Sequence, residues 1–178
     1  MAIITLTKLT EDDREQFIID NQRAFKYGAT EEFGMRDNHF EEDGEIISRK
    51  TIENSIDHGI AYRIREDGRI VGGLVLKINE ETQHNELELL FVNPGIHSKG
   101  IGHAAWKEVE RLYPETEIWE TCTPYFETRN IHFYVNKCGF HIVEFFNRHH
   151  FDSRHPETGS EYEDGDFDGM FRFEKQMK

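Results

Sequence analysis

Apolar residues recur along this chain with two different periods, and the switches between them divide it into elements. Ala2 to Leu9 alternates, with Ile4 and Leu6 on the face opposite Ile3, Thr5 and Thr7, which predicts a short strand. Thr10-Glu11-Asp12-Asp13 then reads as a helix start, a threonine N-cap followed by acids in the first turn. Phe17, Ile18, Ala24 and Phe25 recur at helical spacing and predict a first helix over 11–26. From Lys26 to Gly44 charges and glycines show no period, so a loop or broken helix is expected; long polar connections of this kind often serve as binding elements. A second helix is expected from Glu45 to about Asp57, carrying Ile46, Ile52 and Ile56.

The period then falls to two. Ala61 to Arg65 leads through Glu66-Asp67-Gly68, a turn signal, into Arg69 to Asn79 as a hairpin. Gln83 to Asn85 is another polar turn, and Glu86 to Val92 a further strand. Helical spacing returns over Gly102 to Tyr113, with Ala104, Ala105, Val109 and Leu112 on one side and Pro114 as the stop. Glu117–Thr123 reads as a strand, Thr128–Cys138 as a helix and Phe140–Phe146 as a strand. A polar, acidic excursion fills 152–169 before a last strand, Met170 to Lys175. No repeat or linker interrupts residues 1–178, so a single domain is expected. Hairpins first and strand–helix–strand units afterwards imply an α/β (α+β) fold, a mixed sheet covered by helices.

Composition narrows the function. The 178 residues carry a formal net charge of −14 with 37% hydrophobic residues, acidic but rich enough in apolar groups to build a core. Acidity argues against nucleic-acid partners, whose phosphates need a basic face, and favours a cationic partner at long range. Met1 to Thr10 lacks a basic segment leading into a long apolar one, and no apolar run approaches membrane length, so a soluble, cytoplasmic protein without a membrane partner is expected. Cys122 and Cys138 are too few for a disulfide framework and read as buried apolar fillers.

The candidate chemistry lies in one junction. Phe91-Val92-Asn93-Pro94-Gly95-Ile96-His97-Ser98-Lys99-Gly100-Ile101-Gly102-His103 ends an apolar strand, crosses a polar loop and opens a helix behind two glycines. The first turn of a helix offers unpaired N–H groups and the positive end of its dipole, so an anion site is expected there, with Gly100 and Gly102 letting a phosphate approach the backbone.

His97 to Gly102 matches the Arg/Gln-x-x-Gly-x-Gly/Ala loop of the GNAT superfamily of N-acetyltransferases, except that histidine stands where arginine or glutamine is usual. Asn130-Ile131-His132-Phe133-Tyr134-Val135-Asn136-Lys137-Cys138-Gly139-Phe140 resembles the family's Asn-x-x-x-Tyr-x-x-x-Gly-Phe segment, and Glu86 to Pro94 resembles the strand before the loop. The resemblance is specific over about 86–143. It implies the GNAT fold: a mostly antiparallel sheet of six to seven strands with about four helices, splayed where strand 86–92 meets strand 117–123. It also implies acetyl-coenzyme A as cosubstrate, with no metal. The pantetheine arm would pair with the backbone of Leu90, Phe91 and Val92, and the pyrophosphate would sit on N–H groups of Lys99, Gly100, Ile101, Gly102 and His103, with His97 and Ser98 beside it. Asn130 would hydrogen-bond the arm or the adjoining backbone. Tyr134, one helical turn from Asn130, would be the general acid to the departing thiolate.

Glu86 and Glu88 share a strand face, and Glu88 matches a position where family members often carry a carboxylate that acts as base. Asp164 to Gly169 begins like a calcium loop, but Lys175 occupies the twelfth position; it reads, with His149, His150 and His155, as a solvated loop. The expected activity is direct transfer of an acetyl group to a primary amine of a small molecule or peptide. Glu31, Glu32, Glu41, Glu42 and Asp43 would suit a cationic acceptor. The alternative is a non-catalytic acyl-coenzyme A-binding or sensor protein. Phe145, Phe146 and Phe151 offer an apolar patch for a possible homodimer.

Overall fold

The computed structural model describes residues 2–30, 40–42, 44–96, 100–154 and 169–178. Seven strands are present among the described residues: β1 (Ile4–Lys8), β2 (Ile60–Glu66), β3 (Arg69–Lys77), β4 (His84–Val92), β5 (Ile118–Pro124), β6 (His141–Phe146) and β7 (Met170–Gln176). They form one sheet in the order β1-β2-β3-β4-β5-β7-β6. The β1–β4 half and the β5–β7–β6 half are each antiparallel, and a single parallel contact between β4 and β5 joins them. The helices are α1 (Arg14–Thr30), α2 (Arg49–His58), α3 (Ile101–Leu112) and α4 (Thr128–His132).

Two cores form, one on each face of the sheet. Phe17 and Ile18 of α1 and Ile52 of α2 pack with Val75, Leu89 and Phe91. On the other face Ile101, Ala105, Trp106 and Val109 of α3 meet Leu74, Leu76, Leu87, Trp119, Phe140 and Phe173. Gly73 makes room for the first core, because a Cβ there would lie 2.4 Å from the Phe17 ring and 2.9 Å from that of Phe91. The two rings meet edge to face at 5.2 Å.

The predicted elements all form, with shifted ends. The first helix begins with a 3₁₀ turn at Glu11–Asp13 and continues through Thr30, so the first residues of the expected loop are helical. Buried Ala29 extends the apolar face that far. The second helix starts at Arg49 rather than Glu45. Ser48 is extended and its Oγ accepts from the Thr51 N–H at 3.1 Å, a cap stronger than the helical spacing of Ile46. The predicted 128–138 helix is α-helical only to His132; Phe133–Lys137 continues as a π turn, closed by the Cys138 N–H donating to Phe133 O at 3.0 Å.

Candidate functional site

The parallel contact that joins the sheet halves is short. His84, Asn85 and Glu86 pair with Ile118, Trp119 and Glu120, and pairing stops there. Past Glu86 and Glu120 the strands separate into a wedge, and the β5-facing edge of β4 from Leu87 to Val92 has no strand partner among the described residues. An open edge inside a sheet accepts an extended ligand as a surrogate strand.

The apex of this wedge is closed by a side chain. Thr121, the first residue of β5 beyond the ladder, donates its hydroxyl proton to Leu87 O at 2.8 Å. The Tyr134 hydroxyl also bonds the Thr121 side chain. Tyr134 sits in an aromatic nest, edge-to-face with Phe133 and Phe140. Burial pushes its pKa well above the ordinary tyrosine value, and the bond to Thr121 opposes that only in part. The phenol therefore keeps its proton across neutral pH. Asn130, one turn earlier, is exposed and donates from Nδ2 to Thr123 Oγ1 at 3.3 Å. Tyr134 and Asn130 thus meet Thr121 and Thr123, two residues apart on one face of β5.

On β4 the register slips. Val75 lies opposite Leu89 but Leu76 lies opposite Leu87, so Glu88 is the extra residue of a bulge. The slip is why Leu87 enters one core and Leu89 the other, although they are two apart in sequence. Bulging takes the Glu88 backbone out of the ladder at the apex. The Glu88 side chain pairs through Oε1 with Lys77 Nζ at 3.2 Å, while Oε2 is buried without a hydrogen-bond partner.

At the outer end of the wedge, Gly100 precedes α3 with φ of +91°, a backbone that only glycine adopts without strain. Gly102 has a different reason. A Cβ there would come 3.3 Å from the Phe133 ring, so this glycine seats the start of α3 against the residue next to Tyr134. His97, Ser98 and Lys99 lie outside the described residues, as do Glu31, Glu32, Asp43, His155 and the calcium-like Asp164–Asp168. The free N–H groups of the 12-residue α3 and its dipole suit a phosphate, and the open β4 edge suits an amide-bearing arm, so these residues fit coenzyme A.

Other candidates are engaged elsewhere. Glu41 Oε2 accepts from the Ser48 N–H at 2.9 Å and from Thr51 Oγ1 at 2.7 Å. Glu42 Oε1 accepts from Gln22 and from the Arg49 N–H. Both acids thus serve the start of α2. His84, Glu120 and Glu174 bring ligand atoms within 4.8 Å of one another, but Glu120 receives Arg154 at 2.9 Å and Glu174 receives Arg172, so cations already occupy that cluster. Cys122 and Cys138 are free thiols, each pushed up to about 12 by burial first and by nearby acids. Neither is a nucleophile at neutral pH. Among the described residues no helix is long and apolar enough to cross a membrane.

A bisected sheet with a wedge between parallel strands, a bulge at its apex and a glycine-led helix at its mouth defines the class of acyl-coenzyme A-dependent N-acetyltransferases. Residues 11–140 match the acetyltransferase (GNAT) family, and the chain belongs to it. It is 46% identical over 184 residues to the uncharacterized protein YrkN of Bacillus subtilis (strain 168), covering 99% of this chain and 94% of that one. Among solved structures, the ribosomal-protein-S18-alanine N-acetyltransferase of Escherichia coli superposes with a TM-score of 0.66 at 13% identity, over 99% of this chain and 95% of the other. The PaiA N-acetyltransferase of Thermoplasma acidophilum, solved with coenzyme A, gives 0.64 at 19% identity, over 98% and 99%. At these identities the structures share a fold with this chain.

Proposed function

We propose that this chain moves an acetyl group from acetyl-coenzyme A to a primary amine by direct attack. The observation that carries the proposal is the apex of the wedge, where a buried, protonated Tyr134 is held by Thr121 beside the bulge at Glu88. The coenzyme supplies an activated acyl thioester. Leu90, Phe91 and Val92 offer their unpaired edge to its arm, and Gly100, Ile101, Gly102 and His103 offer the start of α3 to its pyrophosphate. Asn130 steadies the β5 side of the wedge through Thr123.

Tyr134 gives its proton to the leaving sulfur, for which its raised pKa is suited: the acid form persists as pH rises through the ordinary tyrosine range. Glu88 takes the proton of the amine, directly or through water. Its unpartnered Oε2 is the acceptor for that proton, and Lys77 holds the other oxygen. The acceptor is a small-molecule or peptide amine. With Glu41 and Glu42 turned to the start of α2, two of the acids that would attract a cationic amine are engaged locally.

Thiol release from acetyl-coenzyme A across a panel of amines tests this reading. Tyr134→Phe is expected to lower kcat about 10²–10⁴-fold while leaving the Kd for coenzyme A unchanged. Glu88→Gln should lower kcat, with the loss shrinking at high pH as the free amine deprotonates by itself. Coenzyme binding without turnover on any amine would favour the sensor alternative.

A further inference from the structure

The C-terminal half of α1 and the turn that follows β4 enclose a groove of about 500 Å³, lined by Arg23, Lys26, Tyr27, Pro94 and Gly95. Arg23 and Lys26 are three apart and Tyr27 four from Arg23, so all three share one helix face. Among the described residues neither cation has an ion-pair partner. Arg14, Arg49, Arg63, Arg111, Arg154 and Arg172 pair with carboxylates, whereas Arg65 bonds the Thr7 hydroxyl and Gly68 O. In a chain of net charge −14, two cations on this wall thus have no carboxylate partner among the described residues.

The groove's place gives the reason. Pro94 lies five residues past Leu89, the neighbour of the bulged Glu88, and so at most about 17 Å from it. An anion in the groove therefore sits beyond the outer end of the β4 edge that would take the pantetheine arm, beside the turn that leads towards Gly100. The coenzyme is strongly anionic and the protein repels it at long range, so backbone N–H groups at α3 face an opposing field. Local positive charge beside Pro94 and Gly95, in the turn that leads from β4 towards α3, offsets it. We propose that Arg23 and Lys26 form a phosphate-binding wall for coenzyme A, with Tyr27 as a hydroxyl donor, so that the first helix as well as the glycine loop holds the coenzyme's phosphates. This rests on coenzyme A being the ligand of the wedge.

Calorimetric titration of coenzyme A, dephospho-coenzyme A and phosphate-free pantetheine into the wild type and into Arg23→Gln, Lys26→Gln and Arg23→Lys tests it without turnover. Each Gln variant is expected to raise the coenzyme A Kd about ten-fold, as one charge-assisted contact is lost, and to flatten the salt dependence of binding. Arg23→Lys should stay within a few-fold of wild type, and pantetheine binding should not move. A loss confined to coenzyme A assigns the 3′-phosphate to the wall; an equal loss for dephospho-coenzyme A assigns the diphosphate. An unchanged coenzyme A Kd in both Gln variants overturns the proposal. So does a rise in the acceptor KM alone, which would mark the groove as a seat for an acidic acceptor. Wild-type protein that binds no coenzyme at all would instead sink the acetyltransferase reading. Both side chains lie at the surface of α1, and an unchanged melting temperature shows that the variants fold.

Discussion

At the scale of single residues, the geometry of the apex turns on one hydroxyl proton. Thr121 has a single hydroxyl proton and gives it to Leu87 O, which closes the ladder where the strands part. Cysteine chemistry is excluded by the same burial. A thiol raised to about 12 is deprotonated only about one part in ten thousand at pH 8. Native protein at pH 8 is therefore expected to react with a disulfide reagent far more slowly than urea-unfolded protein, in which Cys122 and Cys138 both titrate near their ordinary values. Fast labelling of either thiol in the folded chain would contradict the packing around Thr121 and Trp106. Tyr134 was legible in the sequence because the Asn-x-x-x-Tyr spacing carries it. Thr121 was not, since a threonine in a strand is ordinary until the point where pairing ends is known.

At the scale of elements, ends rather than existence separate expectation from structure. Strand and helix periods placed every element, but caps decided where helices begin. Ser48 starts α2 four residues late because its Oγ satisfies the Thr51 N–H. Ser48→Ala is expected to cost about 1 kcal/mol of stability in a denaturant titration, with little effect on coenzyme binding. Gly100→Ala separates the two roles differently. No neighbour lies within 4 Å of an added Cβ, so any loss comes from the left-handed backbone, about 1–2 kcal/mol. A wild-type melting temperature in Gly100→Ala would show that this backbone is not needed. The bulge at Glu88 left no trace in the alternation of β4, because one inserted residue changes which core a side chain enters without changing the pattern of apolar and polar letters.

At the scale of the whole molecule, one buried cation sets how the first helix lies. Arg63 on β2 is 1% exposed and bonds Asp13 through Nε at 2.7 Å; its second nitrogen lies 3.0 Å from Asp20, close enough for an ion pair. Phe17 lies under the same guanidinium, 5.2 Å from ring centre to Cζ. These contacts pin the N-terminal half of α1 to the sheet and aim its C-terminal half, with Arg23 and Lys26, at the turn after β4. Arg63→Ala strands two aspartates and is expected to destabilise the fold by about 3–5 kcal/mol, read as a fall in the urea midpoint. Replacing Arg63 by Met together with Asp13→Asn and Asp20→Asn should recover much of that loss, since the stranded charges go with it.

The sequence by itself determined what local periodicity and spacing can encode: the order of strands and helices, a mixed sheet, the glycine-led α3, and a tyrosine one turn after an asparagine. Those follow from rules that act within about a dozen residues. Only the tertiary structure decided where β4 and β5 stop pairing, that Glu88 is the bulged residue, that Glu41 and Glu42 are engaged at α2, and that Arg23 and Lys26 face Pro94 and Gly95. Each of these depends on which backbone or charge is brought opposite another from tens of residues away, and that is fixed by packing of the two cores on the sheet rather than by any local pattern.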